Sequence, residues 1–555
     1  MLKFKFVLTF FTALLLTSAV SAQENTAAQM VTSMYDRQAR IIYNLKTEQL
    51  CLRRIGYDTS IANAVEADLK VNGVSVRDFI ASRNLALGAM RHGRDASERD
   101  VAAFFDSRNM PVADELPLFN DYIKARYAQN NYAVSAERID LDYGPSTIAP
   151  AQLPKKLKIT SDTQEPVFGG RMWMFSNGMR VIYKQDKKAR DFSYTLMMRG
   201  GYGSIQDLEY GQGAYVGDIL PLFRVKGVRG DAFRNMLAFN GISMEARVSL
   251  LDLRISGTAP SDGMELLLQA LLALTRNSSI DQDSYTAFRS YPMPSPSPEA
   301  VIDSLLRPDF IYTPYKYQVS LPQDLMQRAL GEYYSQRFSN VDDGIFIIVG
   351  NKTELQMQTL LCKYLGAFQT DKKYNVYPQV QYMQRAGTSY YTASGRPQLR
   401  YAMSMFLSLT SESYLVTRLA EIVLQTEVRK QFRENKVSLQ SAAETFPYER
   451  YCVILTVDGL GSTQGMQALR SVVSRCADLD VSADELKAYK SQLLGVLAEE
   501  LSSDQARTDL AIERYCGRKD LLSNYQARLE KINGDQLADI LSALVSGSRV
   551  EYISR

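Results

Sequence analysis

The chain has 555 residues, 46% of them hydrophobic and 23% charged, the balance of an ordinary globular protein with room for roughly three domains. Its formal net charge of +3 includes Lys3 and Lys5, which lie in a segment expected to be removed, so the remainder is close to neutral. Electrostatics alone therefore suggest neither nucleic acid nor an anionic membrane surface as a partner.

Residues 1–22 combine a short basic start, an apolar run from Phe6 to Leu16 and small residues at Val20-Ser21-Ala22. The pattern is that of a secretory signal peptide, since the apolar run is too short to span a bilayer. No later stretch is apolar for long enough either, and an exported protein, periplasmic or secreted, is expected. Five cysteines, Cys51, Cys362, Cys452, Cys476 and Cys516, lie far apart without a Cys-x-x-Cys pair. The odd count leaves at least one thiol free, and the apolar neighbours of Cys362 and Cys452 favour buried structural thiols over a zinc cluster.

Residues 23–150 are expected to form a helical N-terminal region. Apolar spacing at Ile41, Ile42, Leu45 and Leu50, and again at Val101, Phe104 and Phe105, fits amphipathic helices, and Ser97-Glu98-Arg99-Asp100 has the composition of a helix start. The chain's one histidine, His92, falls in Arg91-His92-Gly93-Arg94 and is expected to be a solvated surface residue. One histidine excludes any two-histidine zinc site within the chain, and no Gly-x-Ser-x-Gly elbow offers it a nucleophile. From Tyr143 to Pro166 the composition turns to Gly, Pro, Ser and Lys, as in a linker.

Beyond the linker, strands and helices alternate. Ser176-Asn177-Gly178 reads as a turn into the strand Met179–Tyr183, followed by a strand at Phe192–Met198 and the glycine-rich exit Arg199-Gly200-Gly201-Tyr202-Gly203-Ser204. A helix is expected over Tyr210–Leu222, a strand over Leu250–Ile255 and an apolar helix over Gly263–Leu274. Ile345–Val349 then reads as a buried strand, with a helix over Glu354–Tyr364. Residues 168–370 thus read as an α+β domain with helices on one face of a sheet.

Residues 375–555 repeat that order. Leu399–Leu409 is expected as a strand, Tyr414–Glu434 as a long helix, Tyr451–Val457 as a strand, Gly465–Val473 as a helix and Val550–Ile553 as a last strand. A repeat of roughly 200 residues argues for duplication, and an extended connection is expected near Asp371–Arg396. Between strand and helix, Gly459-Leu460-Gly461-Ser462-Thr463 has the look of a dinucleotide loop, but its third glycine comes one residue late. A glycine turn with Ser462 or Thr463 capping the helix explains it better. Two glycosylation sequons, at Asn277 and Asn351, carry no weight.

The segments Gly200-Gly201, Phe239-Asn240-Gly241-Ile242-Ser243 and Arg337-Phe338-Ser339-Asn340-Val341-Asp342-Asp343 running into Ile348-Val349-Gly350-Asn351, together with the tandem repeat, resemble the peptidase M16 (pitrilysin/insulinase) family, above all its non-catalytic halves. The resemblance covers roughly Phe175 to the C-terminus and implies a tandem pair of M16-like (LuxS/MPP-like) α+β domains. In active members a helix after the glycine-rich turn carries H-x-x-E-H, two zinc-binding histidines and a water-activating glutamate. The best-matching positions here are Ala214, Gly217 and Asp218, and alanine and glycine offer a metal no ligand. The third ligand of active members, a glutamate on a later helix, would fall in Phe288–Glu299, where Pro292, Pro294, Pro296 and Pro298 prevent a continuous helix. Glu299 is expected instead in the first turn of the next helix. Active members also hold the substrate backbone with an arginine and a tyrosine seven apart. Arg433 fits the arginine and Gln440 stands at the tyrosine, so both are possible substrate-binding residues, against an ordinary exposed arginine near a helix C-terminus.

What the resemblance implies is a catalytically inactive M16-like protein with no cofactor. Its expected role is to pair with an active zinc M16 peptidase subunit and help enclose unfolded peptide. The alternative is a stand-alone peptide-binding or scaffold protein of the cell envelope.

Overall fold

The computed structural model describes residues 22–93, 95–128, 136–148, 153, 156–307, 313–370, 387–444, 449–517 and 519–555. The expected signal peptide lies outside them but for Ala22, which opens the first helix. Among the described residues, five helices build the N-terminal region: α1 (Ala22–Arg54), α2 (Thr59–Asn72), α3 (Val76–His92), α4 (Ala96–Arg108) and α5 (Val112–Arg126). Asp58, Ser75 and Asp95 cap α2, α3 and α4 by accepting from backbone N–H groups that lack an intrahelical partner. Apolar stripes on these helices close over one core that includes Met34, Ile42, Phe79, Phe105 and Phe119. Inside it Lys46, 2% exposed, donates to Asp68 at 2.6 Å and to the Ile139 carbonyl at 2.7 Å.

The end of the expected helical region and the start of the expected linker, residues 136–148, form a packed strap without helix, and the expected linker also holds a strand, Ile159–Glu165. Ile139, Leu141 and Tyr143 are buried, and the Tyr143 hydroxyl donates to Asp78 at 2.8 Å. Single large side chains spaced two apart along an extended chain are enough to anchor it, which the small, polar composition around them concealed. The strap runs into β1 (Ile159–Glu165), which pairs antiparallel with β2 (Gly170–Phe175).

The first sheet continues with β3 (Arg180–Gln185) and β4 (Asp191–Arg199). Then come α6 (Val216–Ile219), β5 (Arg224–Val225), α7 (Gly230–Phe239), β6 (Glu245–Val248), β7 (Asp252–Pro260), α8 (Met264–Asn277), β8 (Ser278–Ser279), α9 (Gln282–Ser290) and α10 (Pro298–Leu306). α11 (Leu325–Arg328) and α12 (Ser335–Phe338) flank a π-turn and lead to β9 (Ile345–Gly350) and α13 (Glu354–Tyr364). The strand order is β1-β2-β3-β9-β4-β7-β6, with only β3 and β9 parallel. β9, Ile-Phe-Ile-Ile-Val-Gly, is buried along its whole length, as the continuous apolar run required.

The second segment holds β10 (Thr388–Ala393), β11 (Gln398–Phe406), α14 (Ser411–Gln431), β12 (Val437–Glu444), β13 (Arg450–Asp458) and α15 (Thr463–Cys476). It ends with α16 (Ala483–Glu500), α17 (Asp504–Ile512), α18 (Tyr525–Lys531), α19 (Gly534–Ser546) and β14 (Ser548–Ser554). Its strand order, β10-β14-β11-β13-β12 with β10 and β14 parallel, reproduces β3-β9-β4-β7-β6 strand for strand. The two sheets are separate, and the shared order is the physical content of the sequence repeat. The expected extended connection lies outside the described residues through Ala386, and after it Thr388–Ala393 is an edge strand. Ser462 caps α15 by accepting from the Gly465 N–H, so the Gly459–Thr463 loop is a cap and not a cofactor cradle.

Helices cover both faces of each sheet, against the expectation of one. Each sheet packs its own helices on one face. The opposite face of the first sheet, with Ile182, Met197, Ile345 and Ile347, is covered by Ala511, Ile512 and Cys516 of the second segment. The opposite face of the second sheet, with Ala402, Ile454 and Val550, is covered by Ile302 and Leu306 of α10. Each half therefore buries the face its partner half would otherwise leave wet. All five cysteines are free, four buried and Cys362 half-buried.

Candidate functional site

The expected helix over Tyr210–Leu222 is broken into three short pieces. A 3-10 turn at Gln212–Tyr215, the single α-turn α6 and a second 3-10 turn at Leu220–Leu222 replace it. Gly211 takes φ +80°, a conformation that favours glycine, and Pro221 removes a backbone donor. The periodicity of the apolar residues was helical, but glycine and proline cut the hydrogen-bond ladder.

Each matching position has packing or pairing of its own. Ala214 is half-buried, and Gly217 is packed against β6. Because Ser243 and Ser249 donate toward β7 at 2.9 Å, the alternation of the strand turns the Ala246 and Val248 backbone groups outward. A methyl on Gly217 would sit 3.3 Å from the Ala246 oxygen and 3.3 Å from the Val248 nitrogen. The motif segment thus lies against the outer edge of β6. Asp218, the one carboxylate of the three, pairs with the Lys316 ammonium at 2.5 Å.

Lys316 is delivered by the segment around residues 313–320, which the motif segment itself straps down. Tyr202 donates to the Thr313 carbonyl at 3.2 Å, Tyr215 to that of Tyr317 at 2.6 Å and Gln212 to that of Ser320 at 2.9 Å. The ammonium also lies 5.6 Å from the centre of the Tyr215 ring, a cation–π distance. An organic cation therefore stands beside the only carboxylate of the motif. Alanine, glycine and a lysine-paired aspartate do not fit zinc, whose sites are built from unencumbered imidazole, thiolate and carboxylate donors. Among the described residues no three His, Cys, Asp or Glu side chains come together as a metal site.

The second degenerate piece meets the first. α9 ends at Ser290, the proline-rich stretch follows, and Ser297 caps α10 with Glu299 in its first turn. Glu299 pairs with Arg400 of the second sheet, and burial that would push its carboxyl up is outweighed by that arginine, which holds it down. Asp218, Lys316 and Tyr291–Pro294 line one cleft of about 360 Å³, with Tyr215 and Leu222 of the motif segment, α9 and α1 of the N-terminal region completing its wall.

Arg433 is exposed just beyond α14 and donates to the Lys430 carbonyl at 3.2 Å. Gln440 is exposed on the edge strand β12, opposite Ile454.

His92 is not a solvated surface residue. Its side chain is 16% exposed and lies 2.8 Å from Asp191 at the start of β4 and 3.3 Å from Asp504 at the start of α17. Arg91 also pairs with Asp191 at 2.5 Å, and Arg507 with Asp504 at 2.7 Å. Burial alone would push the imidazole down, but the two carboxylates outweigh it and hold it up at about 9. Sequence reasoning missed this clasp because Asp191 and Asp504 lie 99 and 412 residues from His92 along the chain.

No protein-family model and no curated protein sequence matches the chain. Solved structures do. The chain is similar to the periplasmic protease PqqL from Escherichia coli at TM-score 0.56 and 14% identity, covering 88% of this chain and 62% of that one. It is similar to a peptidase M16 inactive domain from Pseudomonas fluorescens at TM-score 0.53 and 13% identity, covering 69% and 97%. It is also similar to an insulinase family protease from Yersinia pestis at TM-score 0.50 and 12% identity, covering 74% and 96%. The fold is that of M16 insulinase-family peptidases, α+β domains behind a helical N-terminal region. The chain spans about 62% of the length of PqqL.

Proposed function

We propose that this M16-like chain is an exported protein without zinc-dependent proteolysis of its own, which holds unfolded peptide beside an active M16 half. The observation that carries the reading is the pair Asp218–Lys316 at 2.5 Å, flanked by Ala214 and Gly217, where the fold's active members need metal ligands. Export is supported by the composition of residues 1–22 and by the likeness to a periplasmic protein. No described helix is long and apolar enough to cross a membrane. The domain limits 168–370 and 375–555 belong to the same proposal.

Purified protein should carry no stoichiometric zinc and hydrolyse no unfolded peptide, with or without chelator. Tight zinc together with chelator-sensitive proteolysis would overturn the reading. Co-purification from the native source should recover an M16 peptidase, in an interface burying more than ~1,000 Å². In that complex, Arg433→Ala should slow peptide turnover severalfold without weakening assembly. Unchanged turnover removes Arg433 from the substrate path.

The stand-alone binding reading is favoured by one specific observation. The N-terminal region of the same chain walls the cleft at Asp218, so the cleft needs no second protein to be complete. Recovery of a monomer at micromolar concentration, with no M16 peptidase bound, would decide for it.

A further inference from the structure

We infer that the cleft between α1 and the degenerate motif is a side-chain pocket that takes an uncharged aromatic residue of an extended peptide. The inference rests on the peptide-holding reading and names where, and by what chemistry, the peptide is gripped. At about 360 Å³ the cleft lies at the lower end of the range of ligand pockets, enough for one aromatic side chain and the flanking backbone.

Its wall is mostly apolar. Leu52 comes from α1, Leu222 from the motif segment, Phe288 from α9, and Pro292, Met293 and Pro294 from the stretch that follows. A thioether and an aromatic edge are favourable neighbours for an aromatic ring. The charged groups of the lining are spoken for: Asp218 pairs with Lys316, and Glu48 with Arg234. The pocket therefore presents no net charge to its occupant, and a charged side chain would be desolvated there without a free partner.

The pocket is also held open. Tyr57, just past α1, donates its backbone N–H to the Ser290 hydroxyl at 2.6 Å, and its ring lies 5.4 Å from that of Tyr291. Asn84 of α3 reaches the Ala238 carbonyl of α7 at 3.3 Å, and Asn235 of α7 reaches the Asp142 carbonyl of the strap at 2.8 Å. These contacts fix the N-terminal region against the first segment, and Glu48 ties α1 itself to Arg234 of α7. The edge of β6 beside the pocket is met by Gly217, so a bound peptide engages this site through a side chain rather than by adding a strand at Ala246–Val248.

The test uses the full mature chain and fluorescein-labelled octapeptides Gly-Ser-Gly-Xaa-Gly-Ser-Gly-Ser, read by anisotropy, with Xaa as Phe, Leu, Ser, Lys or Glu. The Phe peptide should bind about tenfold or more tighter than the Ser peptide, and the Lys and Glu peptides no better than Ser. The same peptide with p-benzoylphenylalanine at Xaa should photo-crosslink to Met293 or Leu52, mapped by mass spectrometry. Leu52→Trp, which fills the cleft, should abolish the Phe preference. Leu52→Ala, which enlarges it, should weaken Phe severalfold and keeps the test intact if the first variant does not fold. Equal binding of all five peptides, or crosslinks confined to other surfaces, overturns the pocket while leaving the peptide-holding reading standing. Absence of binding by every peptide overturns both.

Discussion

Replacing Arg450 by alanine is expected to destabilise the protein by roughly 3–5 kcal/mol, the usual cost of removing one partner from a buried ion-pair network. Arg450, at the start of β13, is 2% exposed. Its guanidinium donates to both oxygens of Glu444, at 3.1 and 2.9 Å, and lies 3.6 Å from Asp303 of α10. Arg307, also on the α10 side, pairs with both of those carboxylates. Burial pushes the Asp303 carboxyl up, and the two arginines oppose that shift. Without Arg450 the buried Asp303 and the half-buried Glu444 must share one cation. Because the network fastens α10 of the first segment onto the second sheet, the loss should appear in urea unfolding and as new protease cleavage around residues 298–307. Exposed Arg433→Ala should change stability by less than about 0.5 kcal/mol. An Arg450→Ala transition within that margin of wild type would show that the network does not hold the halves together.

The His92 clasp should make stability fall on the alkaline side. The folded imidazole is held at about 9, above the 6.5 of a free histidine. A group whose folded value is raised gives its full stabilisation below about pH 6.5 and loses it as pH rises through about 9. The difference corresponds to roughly 3 kcal/mol at about 1.4 kcal/mol per pH unit. The groups facing the ring are Asp191 of β4 and Asp504 of α17, with Arg91 and Arg507 completing the pairs. Asp191 and Asp504 are held below the usual carboxylate range, since their hydrogen bonds to His92 and the nearby cations outweigh burial. Thermal melts from pH 6 to 10 should therefore slope downward for wild type above pH 7. His92→Gln should start lower and run flatter. Parallel profiles for the two proteins would remove the clasp.

The zinc reading and the two stability predictions draw on different kinds of information. The shortage of metal-ligand side chains was readable without coordinates, because ligand donors are properties of residue types: one histidine in the chain, with Ala214 and Gly217 at the positions that best match the motif. So was the repeated succession of strands and helices along the chain, because β9, β11, β13 and β14 carry their apolar character in local runs. Glu299 in the first turn of α10 followed from the prolines before it, and a cap at Ser462 or Thr463 from their place before an apolar period, the structure choosing Ser462. The breaks in the Tyr210–Leu222 segment were visible as glycines and a proline, yet the apolar spacing outweighed them in the sequence reading. Edge strands such as β6, β10 and β12 escaped because they bury little and so carry weak alternation.

What the sequence by itself determined is therefore which ligand side chains the chain carries and the order of elements, both set by residue type and by periods of a few residues. Only the tertiary structure decided what surrounds those positions. Lys316 stands beside Asp218 across 98 positions, His92 joins β4 to α17 across the whole chain, and the halves exchange covering segments through α10 and residues 511–516. No local pattern encodes such pairings, since each depends on which surfaces remain wet after the separate sheets have formed, and burying those surfaces together is what brings the distant charges into contact.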